Sequence, residues 1–122
     1  MDPRHRRGQL AETVAARWLR AHGYRLLARN VRYRGGELDI VACLGALVVF
    51  VEVRARRAGS RIDPLESISQ RKRKRVIASA QRWLQEHSPA PRDCRFDVIA
   101  VRESRGGRLS IEHVAGAFLD EG

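Results

Sequence analysis

Gly35-Gly36-Glu37-Leu38-Asp39-Ile40-Val41-Ala42-Cys43, a break at Leu44-Gly45-Ala46, then Leu47-Val48-Val49-Phe50-Val51-Glu52-Val53-Arg54: this stretch decides how the chain is read. Both runs are apolar and rich in β-branched residues, and so short a break makes them a tight antiparallel pair, Glu37–Cys43 and Leu47–Arg54. Successive strand side chains point to opposite faces. Putting Leu38, Ile40 and Ala42 together with Leu47, Val49, Val51 and Val53 makes one face wholly apolar. It also forces Glu37, Asp39, Glu52 and Arg54 onto one end of the other face.

In that register Glu52 lies opposite or diagonal to Glu37 and Asp39, within reach of a shared ligand. Carboxylates that close repel and raise each other's pKa, and a divalent cation relieves the repulsion. Carboxylate and carbonyl oxygens suit Mg²⁺ or Mn²⁺. Arg54 stands one pleat away, suited to hold a phosphate or its developing charge. Two acids at a strand end with a cation two residues on therefore point to phosphodiester cleavage, in which a metal activates water. The plainer reading of the same residues is a solvated sheet edge with an ordinary Glu52–Arg54 surface pair.

Outward from the hairpin, the helical spacing of Ala11, Val14, Ala15, Trp18 and Leu19 predicts a helix over 8–22, closed by Gly23. Residues 1–7 read as a flexible basic N-terminus. Tyr24–Val31 forms the first strand, and Ala55–Glu66 a polar, basic loop. Val76, Ile77, Ala80, Trp83 and Leu84 mark the buried stripe of a second helix over 68–87, broken by Ser88-Pro89-Ala90-Pro91. Arg95–Arg102 and Leu109–Val114 are two more strands about an Arg105-Gly106-Gly107 turn, and a short helical tail, 115–119, ends the chain. The order α-β-β-β-α-β-β predicts a single α/β domain: one mixed sheet of about five strands with flanking helices. A chain of 122 residues supports one hydrophobic core, not two domains.

The formal charge of +10 points to a polyanionic partner, and its distribution sharpens that. Residues 1–34 carry +7 and 54–82 carry +8, whereas 35–53 carry −3 and 83–122 carry −2. An acidic hairpin thus lies between two basic segments. Arg71-Lys72-Arg73-Lys74-Arg75, at the start of the second helix, opposes the helix dipole, so local helix stability does not account for it. A bound phosphate does; a solvated arginine-rich face is the bland alternative. Arg56, Arg57 and Arg61 extend the basic surface, which is suited to sequence-independent binding of a nucleic-acid backbone. The basic residues are 22 Arg and 2 Lys, a skew that suggests a general preference for arginine. Both Trp residues sit on apolar helix stripes and belong to the core.

No apolar run approaches the ~18–20 residues of a membrane span, and the N-terminus lacks a secretory apolar stretch, so no membrane partner is expected. Cys43 and Cys94 fall in apolar strand segments and read as buried free thiols in a reducing cytoplasm. His5, His22, His87 and His113 show no metal-ligand spacing. Asp97 is expected to face outward or to anchor a strand pair.

Residues 35–54 resemble the PD-(D/E)xK signature of restriction-endonuclease-like nucleases. More closely, the chain resembles the YraN family of bacterial proteins, related in fold to archaeal Holliday-junction resolvases. The likeness runs from about Gly8 to Phe118 and includes Gly8-x-x-Ala11-Glu12-x-x-Ala15, the Asn30–Asp39 segment, Phe50-Val-Glu-Val-Arg54 and Arg95-Phe-Asp-Val98. It implies a restriction-endonuclease-like fold, with Asp39 and Glu52 as ligands to Mg or Mn and Glu12 brought into the same site from the first helix. It further implies phosphodiester cleavage in branched or damaged DNA, and a homodimer, although no exposed apolar patch for one is legible in the sequence. Arg54 departs from the pattern, standing at the motif's lysine. Arginine cannot act as a base but still clamps a phosphate. Three readings follow: a metal-dependent nuclease-like protein acting on DNA with Glu12, Asp39, Glu52 and Arg54 as its site; a non-catalytic nucleic-acid-binding module; or a protein-interaction adaptor, which leaves the basic segment idle.

Overall fold

The computed structural model describes residues 3–57, 59, 63, 66–88 and 92–119, with side chains from Gly8 onward; Arg61 lies outside the described residues. The elements run α1 (Pro3–Ala21), β1 (Arg25–Tyr33), β2 (Gly36–Leu44), β3 (Leu47–Arg57), α2 (Gln70–His87), β4 (Cys94–Glu103) and β5 (Leu109–Phe118). This is the expected α-β-β-β-α-β-β order. The strands form one mixed sheet in sequence order, antiparallel except for the central β3–β4 pair, which is parallel with α2 as its crossover. A parallel pair needs such a crossover. Both faces of the central strands are therefore covered, and Val48–Val51 and Val98–Ala100 are fully buried.

Each helix closes one layer. Ala11, Ala15, Ala16 and Leu19 of α1 pack on Ile40, Ala42, Val49, Val51, Ile99 and Val101. Val76, Ala80 and Trp83 of α2 pack on Leu38, Val41, Val48, Phe50, Phe96 and Val98. The two tryptophans are used alike: His22 and His87 each pack their ring against the tryptophan one turn back, tilted in the first pair and stacked in the second, and bond its carbonyl through Nδ1, at 2.7 and 2.9 Å.

Four local expectations need correction. The first helix begins at Pro3 rather than Gly8: proline suits the first helical position, where its missing N–H costs nothing, and the arginines that follow are good helix formers. The strand after the hairpin continues to Arg57, because Arg56 and Arg57 pair with Arg102 and Glu103, so the loop starts later than Ala55. Residues 115–119 are not a helical tail; β5 runs on to Phe118, which pairs with Phe96 across an irregularity and stacks on its ring at 5.1 Å. Nor are the cysteines buried: Cys43 is half-buried and Cys94 exposed, since both sit where their strands leave the core.

Candidate active site

The site is built by a fault in the sheet. Leu38 does not share the α1 face with Ile40 and Ala42, as simple alternation requires; it packs with Val41 on the α2 face. Across β1, Ala28 and Val31 likewise both pack toward α2. The register pairs Arg29 with Ile40 and Val31 with Leu38, and the change of face falls between them, at Asn30 and Asp39. Asn30 has φ +52°, the left-handed region that asparagine tolerates better than most residues. The register is unbroken here, the shift in this strand pair lying between Leu26 and Ala28, so the change of face re-aims a side chain without a bulge. Here the re-aimed residue is Asp39.

The β2–β3 ladder ends at the Ile40–Val51 pair. Beyond it the two strands are joined through carboxylates. Asp39 Oδ2 accepts the Val53 N–H at 2.9 Å, and Glu52 Oε2 accepts the Asp39 N–H at 3.4 Å. The acids that the sequence brought together are thus adjacent and deeply placed, Asp39 9% and Glu52 1% exposed. Burial pushes the Glu52 carboxyl up to about 8, with Asp39 adding to the rise and Lys72, the Asp39 N–H and Arg54 opposing it. Burial also raises Asp39, against the Val53 hydrogen bond, Lys72 and Arg54. The pair therefore holds on to a proton that ordinary carboxylates would have lost.

Glu12 comes in from α1. Its carboxyl is raised to about 6, first by burial and then by Asp39, and Asn30 donates a hydrogen bond to it. Among the described residues, however, no three acidic, histidine or cysteine side chains are gathered into a ready metal cluster, so Glu12 borders the pair rather than joining it. Glu37 is exposed and pairs loosely with Arg32 at 3.8 Å. Arg54 is near enough for its charge to act on both acids, yet its buried Nε has no hydrogen-bond partner and it forms no ion pair among the described residues.

Lys72 is the cation that touches the pair. Its Nζ lies 3.9 Å from Glu52 Oε1, reaching across from α2. Ser69 caps that helix, accepting the Lys72 N–H at 3.2 Å. Lys72 thus holds the third helical position, where a capping box carries Glu or Gln. A cation there works against the helix, and the buried acid it faces explains it. Two signals in the sequence pointed this way: Lys72 is one of two lysines among 22 arginines, and Ser69-x-x-Lys72 inverts the usual cap.

The rest of the basic run divides by helical angle. Arg73 turns away, donating from Nε to the Ile68 carbonyl at 3.0 Å and lying 5.7 Å over the Phe118 ring. Arg71, Lys74 and Arg75 are exposed and line a cleft of about 590 Å³ with Arg34, Tyr33 and Arg82. Arg56 is half-buried and donates to the Ala55 carbonyl; burial, then Arg54 and Arg102, lower its affinity for the proton. Arg57 is exposed at the strand end.

A second constellation escaped the sequence reading. Asp97 is fully buried on the α1 side of the sheet, not outward. It accepts two hydrogen bonds from Arg95 at 2.8 Å each, one from His113 Nε2 at 2.7 Å and one from the Gly116 N–H at 3.0 Å. Arg95 also donates to Tyr24 Oη at 2.7 Å. These bonds tie β4 to β5 and to the start of β1, so Asp97 does anchor a strand pair. Every oxygen of its carboxylate is satisfied, which marks it as structural.

A mixed α/β domain with a buried, proton-retaining carboxylate pair at a sheet fault, faced by Lys72 and flanked by Arg54, defines the class of protein. Residues 11–101 match the model of the family described as "Uncharacterised protein family UPF0102". The chain belongs to that family, the YraN family anticipated from the sequence. It is 46% identical over 116 residues to a UPF0102 protein of Moorella thermoacetica, covering 94% of this chain and 97% of that one. A UPF0102 protein of Nitratidesulfovibrio vulgaris (strain DP4) is 41% identical over 118 residues, covering 97% of this chain and 87% of the relative. No helix among the described residues is long and apolar enough to cross a membrane.

Proposed function

We propose that the chain is a metal-dependent, nuclease-like protein of the restriction-endonuclease-like class that binds DNA through its phosphate backbone and cleaves phosphodiester bonds. The observation that carries this reading is the Asp39–Glu52 pair. Two carboxylates are buried together at a sheet fault, and Glu52 Oε1 has no hydrogen-bond partner; neither has Glu12 Oε1, which borders them. Buried carboxylate oxygens normally find partners, and acidic oxygens left over in this way fit a hard divalent cation such as Mg²⁺ or Mn²⁺. Asp39 and Glu52 would hold it, Glu12 completing the set by a small movement, and when bound it would supply an activated water and Lewis-acid polarisation of the scissile phosphate.

The protein's own residues supply the remaining chemistry. Lys72, whose Nζ is 3.9 Å from Glu52 Oε1, would take the part of the amine that the motif carries two residues after the acid, reaching in from α2. Its fixed charge would stabilise the phosphate as negative charge builds on it, leaving Arg54 to clamp a neighbouring phosphate oxygen. Arg56, Arg57 and the outer cations of α2 would hold the backbone.

Purified protein would be incubated with branched, duplex and single-stranded DNA, with Mn²⁺ or with chelator, beside Asp39→Ala/Glu52→Ala and Lys72→Met. Expected is Mn²⁺-dependent cleavage that the double variant abolishes and that Lys72→Met lowers on the order of 10²-fold, the usual cost of one preorganised charge. Cleavage absent under every condition, or unchanged in the double variant, refutes the enzymatic reading. The rival, a non-catalytic nucleic-acid-binding module, is favoured by Arg54 at the motif's lysine; it requires salt-sensitive DNA binding with no cleavage at all.

A further inference from the structure

The cleft on the outer side of α2 has walls from two elements. Arg34 rises from the β1–β2 turn, and Arg71, Lys74, Arg75 and Arg82 line α2 opposite it. The walls are fixed against each other, because a Cβ on Gly36 would stand 2.6 Å from Ser79 Oγ and 3.3 Å from the Arg75 carbonyl. Only glycine permits so close an approach. Between the walls Tyr33 is held by Arg82, whose guanidinium lies 4.7 Å over its ring, and by Glu86, which accepts from both.

Glu86 is thus engaged, and among the described residues Arg34, Arg71, Lys74 and Arg75 have no acidic partner. Arg71 and Lys74 are three apart on the helix and Arg71 and Arg75 four apart, so like charges are stacked on one face, which destabilises a helix. A convergence of cations that the helix resists, in a preformed cleft, calls for an anion. The cleft of about 590 Å³ adjoins a second hollow of about 530 Å³, with which it shares Tyr33, Gly35 and Arg75. That second hollow ends at Glu37 and Lys72, beside the carboxylate pair. Each space is the size of a small-ligand site; together they make a basic track, the form in which proteins follow one strand.

We infer that the cleft is a phosphate-binding subsite for a single nucleic-acid strand, gripping the strand beside the carboxylate pair. The inference rests on the nuclease-like reading for its placement but not for its test. Binding of a labelled 12-nucleotide single strand would be followed by fluorescence anisotropy in chelator at several salt concentrations. Arg34→Met/Arg75→Met is expected to weaken binding at least 10-fold, with a slope of log affinity against log salt shallower by about 1.4, since each phosphate contact on a single strand contributes about 0.7. Arg34→Lys/Arg75→Lys should bind within about threefold of wild type, and so should Arg105→Met/Arg108→Met, which removes the same charge at the exposed β4–β5 turn, because charge in the cleft and not total charge makes the subsite. Unlabelled duplex of equal length and poly-glutamate are expected to compete poorly. Wild type failing to bind the strand, Arg34→Met/Arg75→Met binding like wild type, or either competitor matching the single strand overturns the inference. Lack of cleavage in Mn²⁺ with this binding pattern intact refutes the nuclease reading and supports the subsite alone.

Discussion

Replacing Glu52 by glutamine should stabilise the protein at neutral and alkaline pH while removing the site. Glu52 is 1% exposed, and burial beside Asp39 raises its carboxyl from the ordinary 4.5 to about 8. The sign follows from proton counting. Between these values the folded chain keeps the proton and the unfolded chain has lost it, so stability falls as pH rises from about 4.5 to about 8. At about 1.4 kcal/mol per tenfold change in proton affinity, the ceiling on this loss is about 5 kcal/mol. Part of the unfolded chain's titration lies below pH 5, so a fall of about 2–4 kcal/mol between pH 5 and pH 9 is the expected range. Glutamine keeps the shape and has no proton to lose.

Urea denaturation at pH 5, 7 and 9 checks this. Wild type should lose stability across the series, and Glu52→Gln should lose much less, the two chains being close at pH 5. Millimolar Mn²⁺ at pH 8 should raise the wild-type midpoint and leave Glu52→Gln unmoved, because a ligand stabilises only the state that binds it. A Glu52→Gln chain whose stability tracks wild type at every pH refutes the argument that burial of this carboxyl opposes folding.

Two further outcomes concern the frame. Asp97→Ala strips the partner from the half-buried Arg95 and should cost about 3–5 kcal/mol at pH 7, measured by urea denaturation; because its partners hold the Asp97 carboxyl below the ordinary aspartate range, the difference from wild type should shrink as pH falls through and below about 4, and a constant difference refutes the assignment. Gly36→Ala, whose new methyl meets Ser79 Oγ at 2.6 Å, should cost about 1–3 kcal/mol, and Ser79→Ala in the same chain should recover part of it; no recovery means that the Arg75 carbonyl sets the cost.

The element order was legible because each strand is an apolar, β-branched run and each helix carries a clear apolar stripe. The site was legible in part, since alternation alone put Asp39 and Glu52 together. What alternation could not give is the fault that aims Asp39. It rests on one backbone angle at Asn30, and its visible consequence, Leu38 on the α2 face, breaks the pattern used to read the strand. The last part of β5 was hidden for a different reason. Ala115-Gly116-Ala117-Phe118 has no alternation, and it is extended because Asp97 accepts the Gly116 N–H and Phe96 stacks on Phe118, contacts set by tertiary structure. Asp97 itself reads as a surface acid until its three partners, two of them far away in sequence, are known.

Arg54 and Lys72 are best understood together. Taken alone, an arginine at the motif's lysine weakens the case for chemistry, and a chain with 22 arginines invites the view that composition put it there. The same composition makes the surviving lysines informative. A chain that favours arginine nearly everywhere carries lysine at the helix position facing a buried, under-bonded carboxylate oxygen. Lysine is a compact point charge on a flexible stem, whereas arginine is a broad planar fork. On the proposed reading the compact charge would leave room beside the two carboxylates for a cation and a phosphate, and the broader fork would take up that room. If that is the reason, Lys72→Arg should depress metal-dependent cleavage nearly as far as Lys72→Met, although it preserves the charge. A chain in which Lys72→Arg cleaves like wild type would return Lys72 to the general basic surface and leave Arg54 to answer for the missing amine.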